Sequence, residues 1–122
     1  MTPVEMAEKM LAYIQKYDHV TFVELTRQIG GESKGDYTYE AAMFPNVVLW
    51  IGMSKPFVEA LGIVIKRSAV KPTVVLTYIL DGAALKLPLV KGGSLATVRR
   101  YKKPHWLPVV FTRDLPTSET IQ

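Results

Sequence analysis

The sequence predicts an α+β fold, with about three helices packed on a small antiparallel β-sheet. Three observations predict it. Two Thr-x-x-Glu boxes, at 2–5 and 21–24, each precede an apolar stripe at helical spacing. A Gly-Met-Ser-Lys-Pro turn at 52–56 opens a third amphipathic run. Two β-rich runs, 73–80 and 83–90, flank Asp81-Gly82, the strongest short hairpin signal.

The first helix is expected over 3–17. Thr2 can cap it, Pro3 suits its first position, and Glu5 stands where a capping box needs its carboxylate. Ala7, Met10, Leu11, Ile14 and Tyr17 mark its buried stripe, and Asp18-His19 ends it. The second helix is expected over 22–29. Thr21 and Glu24 repeat the box, and Val20 and Leu25 hold the two positions of a hydrophobic staple. Gly30-Gly31 stops it. Residues 30–36 then read as a flexible loop, and 37–44 as a short helix broken by Pro45-Asn46. Val47 to Ile51 is wholly apolar, and period alone leaves it open between a buried strand and a buried helical turn.

Ser54 is a good N-cap for the third helix, which runs to about residue 67 with Phe57, Val58, Leu61, Val64 and Ile65 toward the core. Residues 73–80 are β-branched and aromatic, as strands prefer. Pro88 places the following run at a sheet edge or ends it there. Lys91-Gly92-Gly93-Ser94 reads as a hinge. Residues 107–111 read as a strand returning to the sheet, and the stretch from Leu115 onward as frayed. The domain reading is therefore 1–92, with a basic and aromatic extension over 93–122 packing on it.

The chain has 122 residues, 48% hydrophobic and 21% charged, which suits one globular domain with a core of its own. Mean hydropathy is +0.13, slightly high for this size, which hints at a buried subunit interface. No apolar run approaches the ~20 residues of a membrane span, and no basic region precedes an apolar N-terminal stretch. The absence of cysteine excludes a disulfide scaffold, a thiol nucleophile and thiolate zinc sites, so a cytoplasmic location is the default expectation. Charge is uneven. Residues 1–60 carry −3 and residues 61–122 carry +7, for a net +4. A basic half suggests a polyanionic partner, although a solvated surface gives the same count.

Gly52-Met53-Ser54-Lys55-Pro56-Phe57-Val58-Glu59-Ala60-Leu61 resembles the turn and recognition-helix start of many bacterial regulators. With the hairpin after it, the order of elements over residues 3–90 is similar to that of the winged helix-turn-helix superfamily. That resemblance implies a helix entering a DNA groove and a wing formed by the 73–90 hairpin. One departure is plain: more than 20 residues separate the second helix from Ser54, where paired helices are normally joined by about 3–4.

By this resemblance Lys55 contacts a phosphate or guanine, and Glu59 accepts from a cytosine amine. A plain solvated face explains both equally well. Ser54 can offer its hydroxyl to a phosphate, although its role as a cap already explains it. Lys66, Arg67 and Lys71 cluster at the helix end, where cations also favour the helix dipole. Lys86 belongs to the wing. Arg99, Arg100, Lys102 and Lys103, interleaved with Tyr101, His105 and Trp106, fit phosphate contact with base stacking. Alternatively the aromatics anchor the tail on the core, and the apolar run after Trp106 favours that for Trp106. Trp50 and Tyr78 are assigned to the core.

His19 and His105 have no ligand-type partners at a recognisable spacing, so no metal is expected. No Walker A, dinucleotide or nucleophile-elbow pattern is present, and no cofactor, small-molecule substrate or catalytic constellation follows. The reading is a non-enzymatic duplex-DNA-binding protein, possibly homodimeric in the manner of such regulators, acting in transcription or in the maintenance of a mobile element. The alternatives are a protein-interaction module of the same fold and an RNA or single-strand binder.

Overall fold

The structure is a computed structural model that describes residues 1–42, 44–91 and 101–116. Gly92-Gly93-Ser94, Arg99, Arg100 and residues 117–122 of the tail lie outside the described residues. Among those described, four α-helices pack with two small sheets in a mixed α+β arrangement.

Both capping boxes form. Thr2 Oγ1 accepts from the Glu5 N–H at 3.1 Å, and Glu5 Oε1 accepts from the Thr2 N–H at 3.0 Å. Helix α1 (Pro3–Tyr17) follows and buries Met6, Ala7, Met10 and Ile14. Tyr17 departs from the expected stripe. It is exposed and leans on Tyr13, with ring centroids 4.6 Å apart, because the helix ends before it can reach the core. Thr21 and Glu24 repeat the box ahead of α2 (Phe22–Ile29), with Val20 and Leu25 fully buried. Gly30 ends α2 at φ +79°, a conformation that favours glycine.

Asp18 holds the α1–α2 junction. It and His19 both take positive φ, 55° and 47°. The Asp18 carboxylate accepts from the Arg113 N–H at 2.8 Å and from the His19 N–H at 3.1 Å, which compensates for that backbone. The Arg113 N–H is the main reason the Asp18 carboxyl is held below its ordinary value, aided by the His19 N–H and by charge from both side chains. A carboxyl depressed by folding contributes stability above its unfolded pKa and loses it as pH falls through the folded value. The stability gap between the native protein and Asp18→Asn is therefore expected to be open at pH 7 and to close below about pH 4. Urea midpoints measured across that range check it. Asparagine tolerates positive φ, so the change isolates the charge.

After a 3₁₀ turn at Gly30–Ser33 the chain enters β1 (Lys34–Glu40), which pairs antiparallel with β2 (Val47–Met53). This corrects two expectations. Residues 30–36 are not simply a loop, and 37–44 is not a helix. The Tyr-Thr-Tyr segment suits a strand, and the wholly apolar β2 offers it a ladder that no local signal announces. Gly35 makes the approach possible, since a Cβ there would lie 2.7 Å from the Met53 carbonyl oxygen and the Ser54 Cα. Val47 to Ile51, left open by periodicity, is strand.

Helix α3 (Lys55–Val64) begins at the Ser54 cap and packs Phe57, Ala60, Leu61 and Val64 inward, chiefly against α1. Strand β3 (Ala69–Pro72) follows. The 73–80 strand and its hairpin partner are corrected. Residues Leu76–Leu80 form a short helix, α4, and 83–90 is irregular apart from one bridge from Leu89 to Trp106. Burial of Tyr78 overrides the strand propensity of its neighbours. Asp81-Gly82 serves as a helix exit, with Gly82 at φ +71° and its N–H on the Ile79 carbonyl at 2.9 Å. No wing hairpin spans this dipeptide.

Strand β4 (His105–Trp106) runs parallel to β2, giving the order β1-β2-β4. Strand β5 (Val109–Thr112) pairs antiparallel with β3 and is also bridged by Val20, through N–H to carbonyl bonds of 2.8 and 2.7 Å between Val20 and Phe111. Residues 105–112 thus complete both sheets and share one core with the rest of the chain. Its centre is aromatic. The Trp50 ring lies 6.1 Å from Phe22, 5.2 Å from Tyr78 and 6.0 Å from Trp106.

Candidate nucleic-acid interface

The start of α3 is held at fixed points. The Ser54 N–H donates to the Ser33 carbonyl at 2.8 Å, and the Ser54 hydroxyl donates to the Glu32 carbonyl at 2.6 Å while accepting from the Phe57 N–H at 3.3 Å. The one proton of that hydroxyl is thus committed to the Glu32 carbonyl. Lys55 and Glu59, four residues apart, project from the exposed side of α3, and Lys66 and Arg67 continue outward in the turn after it. These four residues form the most coherent part of the candidate surface.

Lys34 and Tyr37 join them and were missed in the sequence. Both are exposed, and both register with Met53, one residue before the Ser54 cap. Only the β1–β2 pairing brings them to the start of α3, and the sequence carries no local sign of it. Asp36 and Glu40 on β1 and Glu59 on α3 are exposed as well, so the four cations Lys34, Lys55, Lys66 and Arg67 outnumber the carboxylates by one only when the turn after α3 is included.

The other residues do not converge on it. Lys71 on β3 forms an ion pair with Asp114 at 3.0 Å. Lys86 is exposed in the irregular stretch after α4. Lys102 and Lys103 are exposed in the turn before β4, where Tyr101 and His105 are bonded to Asn46 at the start of β2. The seven-residue β2, about 20 Å long, runs between that turn and Lys55. Arg99 and Arg100 lie outside the described residues.

The aromatic part of the tail is committed to the protein. Trp106 is fully buried, and its Nε1–H donates to the Leu49 carbonyl at 3.2 Å. Tyr101 stacks on His105 at 3.7 Å, and its hydroxyl accepts from the Lys91 N–H at 3.2 Å. Trp106 therefore has no face to offer a base.

A second polar cluster surrounds the start of α2. The Tyr13 hydroxyl donates to Glu24 at 2.8 Å, the Thr21 hydroxyl donates to Asp81 at 3.1 Å, and Arg27 lies 4.0 Å from Asp81. Burial, with the Glu24 hydrogen bond and charge, pushes the Tyr13 hydroxyl up to about 12. Burial also pushes the Tyr78 hydroxyl up. Each of these groups is satisfied by its neighbours and serves to join elements. Among the described residues, no three His, Asp or Glu side chains are grouped to hold a metal ion, and no helix is long and apolar enough to cross a membrane.

Compared with protein-family models, curated proteins and solved structures, the chain matches none of them.

Proposed function

We propose that the protein is a non-enzymatic duplex-DNA-binding protein of winged-helix type, acting inside the cell in transcription or in maintenance of a mobile element. The observation that carries this reading is the ladder Val20–β5–β3. Between α1 and α2 the single residue Val20, in the place of a short first strand, bridges the last strand, which also pairs with the strand after α3. Helix, strand, helix, helix, strand, strand, with the last strand central, is the winged-helix arrangement. On this reading β1 and β2 are an insertion between α2 and α3. The exposed side of α3 then reads bases through Lys55 and Glu59, and Lys66 and Arg67 meet phosphates.

Fluorescence anisotropy with a random duplex tests it. Binding should weaken steeply between about 50 and 200 mM salt, by counterion release. Lys55→Ala and Arg67→Ala should each reduce affinity without lowering the melting temperature, and Arg67→Ala should also lower the salt slope by about one unit. Both side chains are exposed, so nothing in the core changes. No binding at micromolar protein in low salt would defeat the DNA reading and leave the protein-interaction module in its place.

A further inference from the structure

Helix α4 stands out from the fold with its apolar side chains uncovered. Leu76, Ile79 and Leu80 of α4 are 54%, 52% and 78% exposed, and Val74, just before the helix, 68%. No charged residue falls between Thr73 and Leu80.

The helix is pinned in this attitude. Tyr78, its one buried side chain, accepts from the Phe22 N–H at 3.1 Å and donates to the Val109 carbonyl at 2.6 Å. The Thr73 N–H donates to the Pro108 carbonyl at 2.9 Å. At the far end, Asp81 accepts from the Thr21 hydroxyl at 3.1 Å. Held on both sides, α4 cannot roll to hide its leucines without breaking buried hydrogen bonds.

The four side chains leave on the order of 400 Å² of apolar surface in water, as large as the main patch of an ordinary monomer. One side of a standard stable interface covers about 800 Å², and homodimer interfaces are about 65% apolar. The α4 face therefore supplies most of the apolar share that one subunit of a dimer needs. Being free of charge, it meets its own copy without burying an unpaired ion. A two-fold contact asks for such a self-complementary patch.

We propose that α4 is the two-fold contact of a homodimer, with Leu76 and Leu80, one turn apart, packed on the same pair of a second copy. The proposal is independent of DNA binding. Sedimentation of the full chain over about 5 to 200 µM should show the mass rising from 13.7 kDa toward twice that value. Leu76→Glu and Leu80→Glu should each weaken the dimer at least about 100-fold by burying charge against charge. Their melting temperatures, read on dilute monomer, should match the native protein. The chain has no cysteine, so Leu80→Cys adds a single thiol. Oxidation should link it into a covalent dimer much faster than Val4→Cys, another exposed position, on α1.

A native protein monomeric throughout the range overturns the proposal. If the glutamate variants of that monomer melt early, the face belongs inside the fold. If they do not, it serves a different protein. A dimer that survives both glutamates, or equal cross-linking at Val4→Cys, also overturns it.

Discussion

Trp106→Ala is expected to destabilise the protein by about 3–5 kcal/mol, the range for truncating a buried tryptophan. Trp106 is fully buried, contacts Trp50, and meets Tyr78 edge-on at 5.1 Å. Its loss empties the middle of the aromatic core, and the fixed strands on either side limit collapse into the space. It also removes the Nε1–H that satisfies the Leu49 carbonyl, leaving a buried acceptor. Domains of this size are stable by about 5–15 kcal/mol, so the variant should approach global unfolding at ordinary temperature. Urea denaturation at constant m-value is the measurement. A cost under about 1 kcal/mol would mean that the ring lies outside the core.

Tyr78→Phe is expected to cost about 2–4 kcal/mol, although it removes a single oxygen. The ring stays and fills its space, so little of the loss is packing. The hydroxyl donates to the Val109 carbonyl and accepts from the Phe22 N–H, and the substitution orphans both in the interior. The Phe22 N–H belongs to the first turn of α2, where no intrahelical partner exists. Equilibrium unfolding should show the loss while near-ultraviolet dichroism of the folded protein stays close to native. A loss below about 0.5 kcal/mol would place a water or another donor at that point.

The helices were legible because their signals are local. Thr2 with Glu5, Thr21 with Glu24, and Ser54 with Phe57 each act within three residues, and each interaction is present in the fold. Aromatic burial was legible too, since Trp50, Tyr78 and Trp106 have few stable places outside a core. The sheets were not. Strand β1 depends on β2, and β3 on β5 some 40 residues away, and propensity does not specify a distant partner. The 73–90 stretch misled for a physical reason. Asp-Gly closes a hairpin and ends a helix with the same positive-φ glycine, and only the fate of Tyr78 decides between them.

The candidate surface divides the same way. Lys55, Glu59, Lys66 and Arg67 were legible as one helix run, although α3 ends at Val64 and leaves the last two in the turn after it. Pairing of Lys71 by Asp114, the arrival of Lys34 beside α3, and the remoteness of Lys102 and Lys103 all follow from long-range topology.

The completion of both sheets by residues 105–112 has a consequence for synthesis. The four described helices and the β1–β2 ribbon leave the ribosome while β3 still lacks its neighbour and Val20 has nothing to bond. Until the last strands emerge, the apolar faces of Trp50, Phe22 and Leu49 have no lid. Contacts between residues far apart in sequence form slowly. The nascent protein therefore passes through an interval in which its centre is wet and sticky, and that interval ends only when Phe111 reaches Val20.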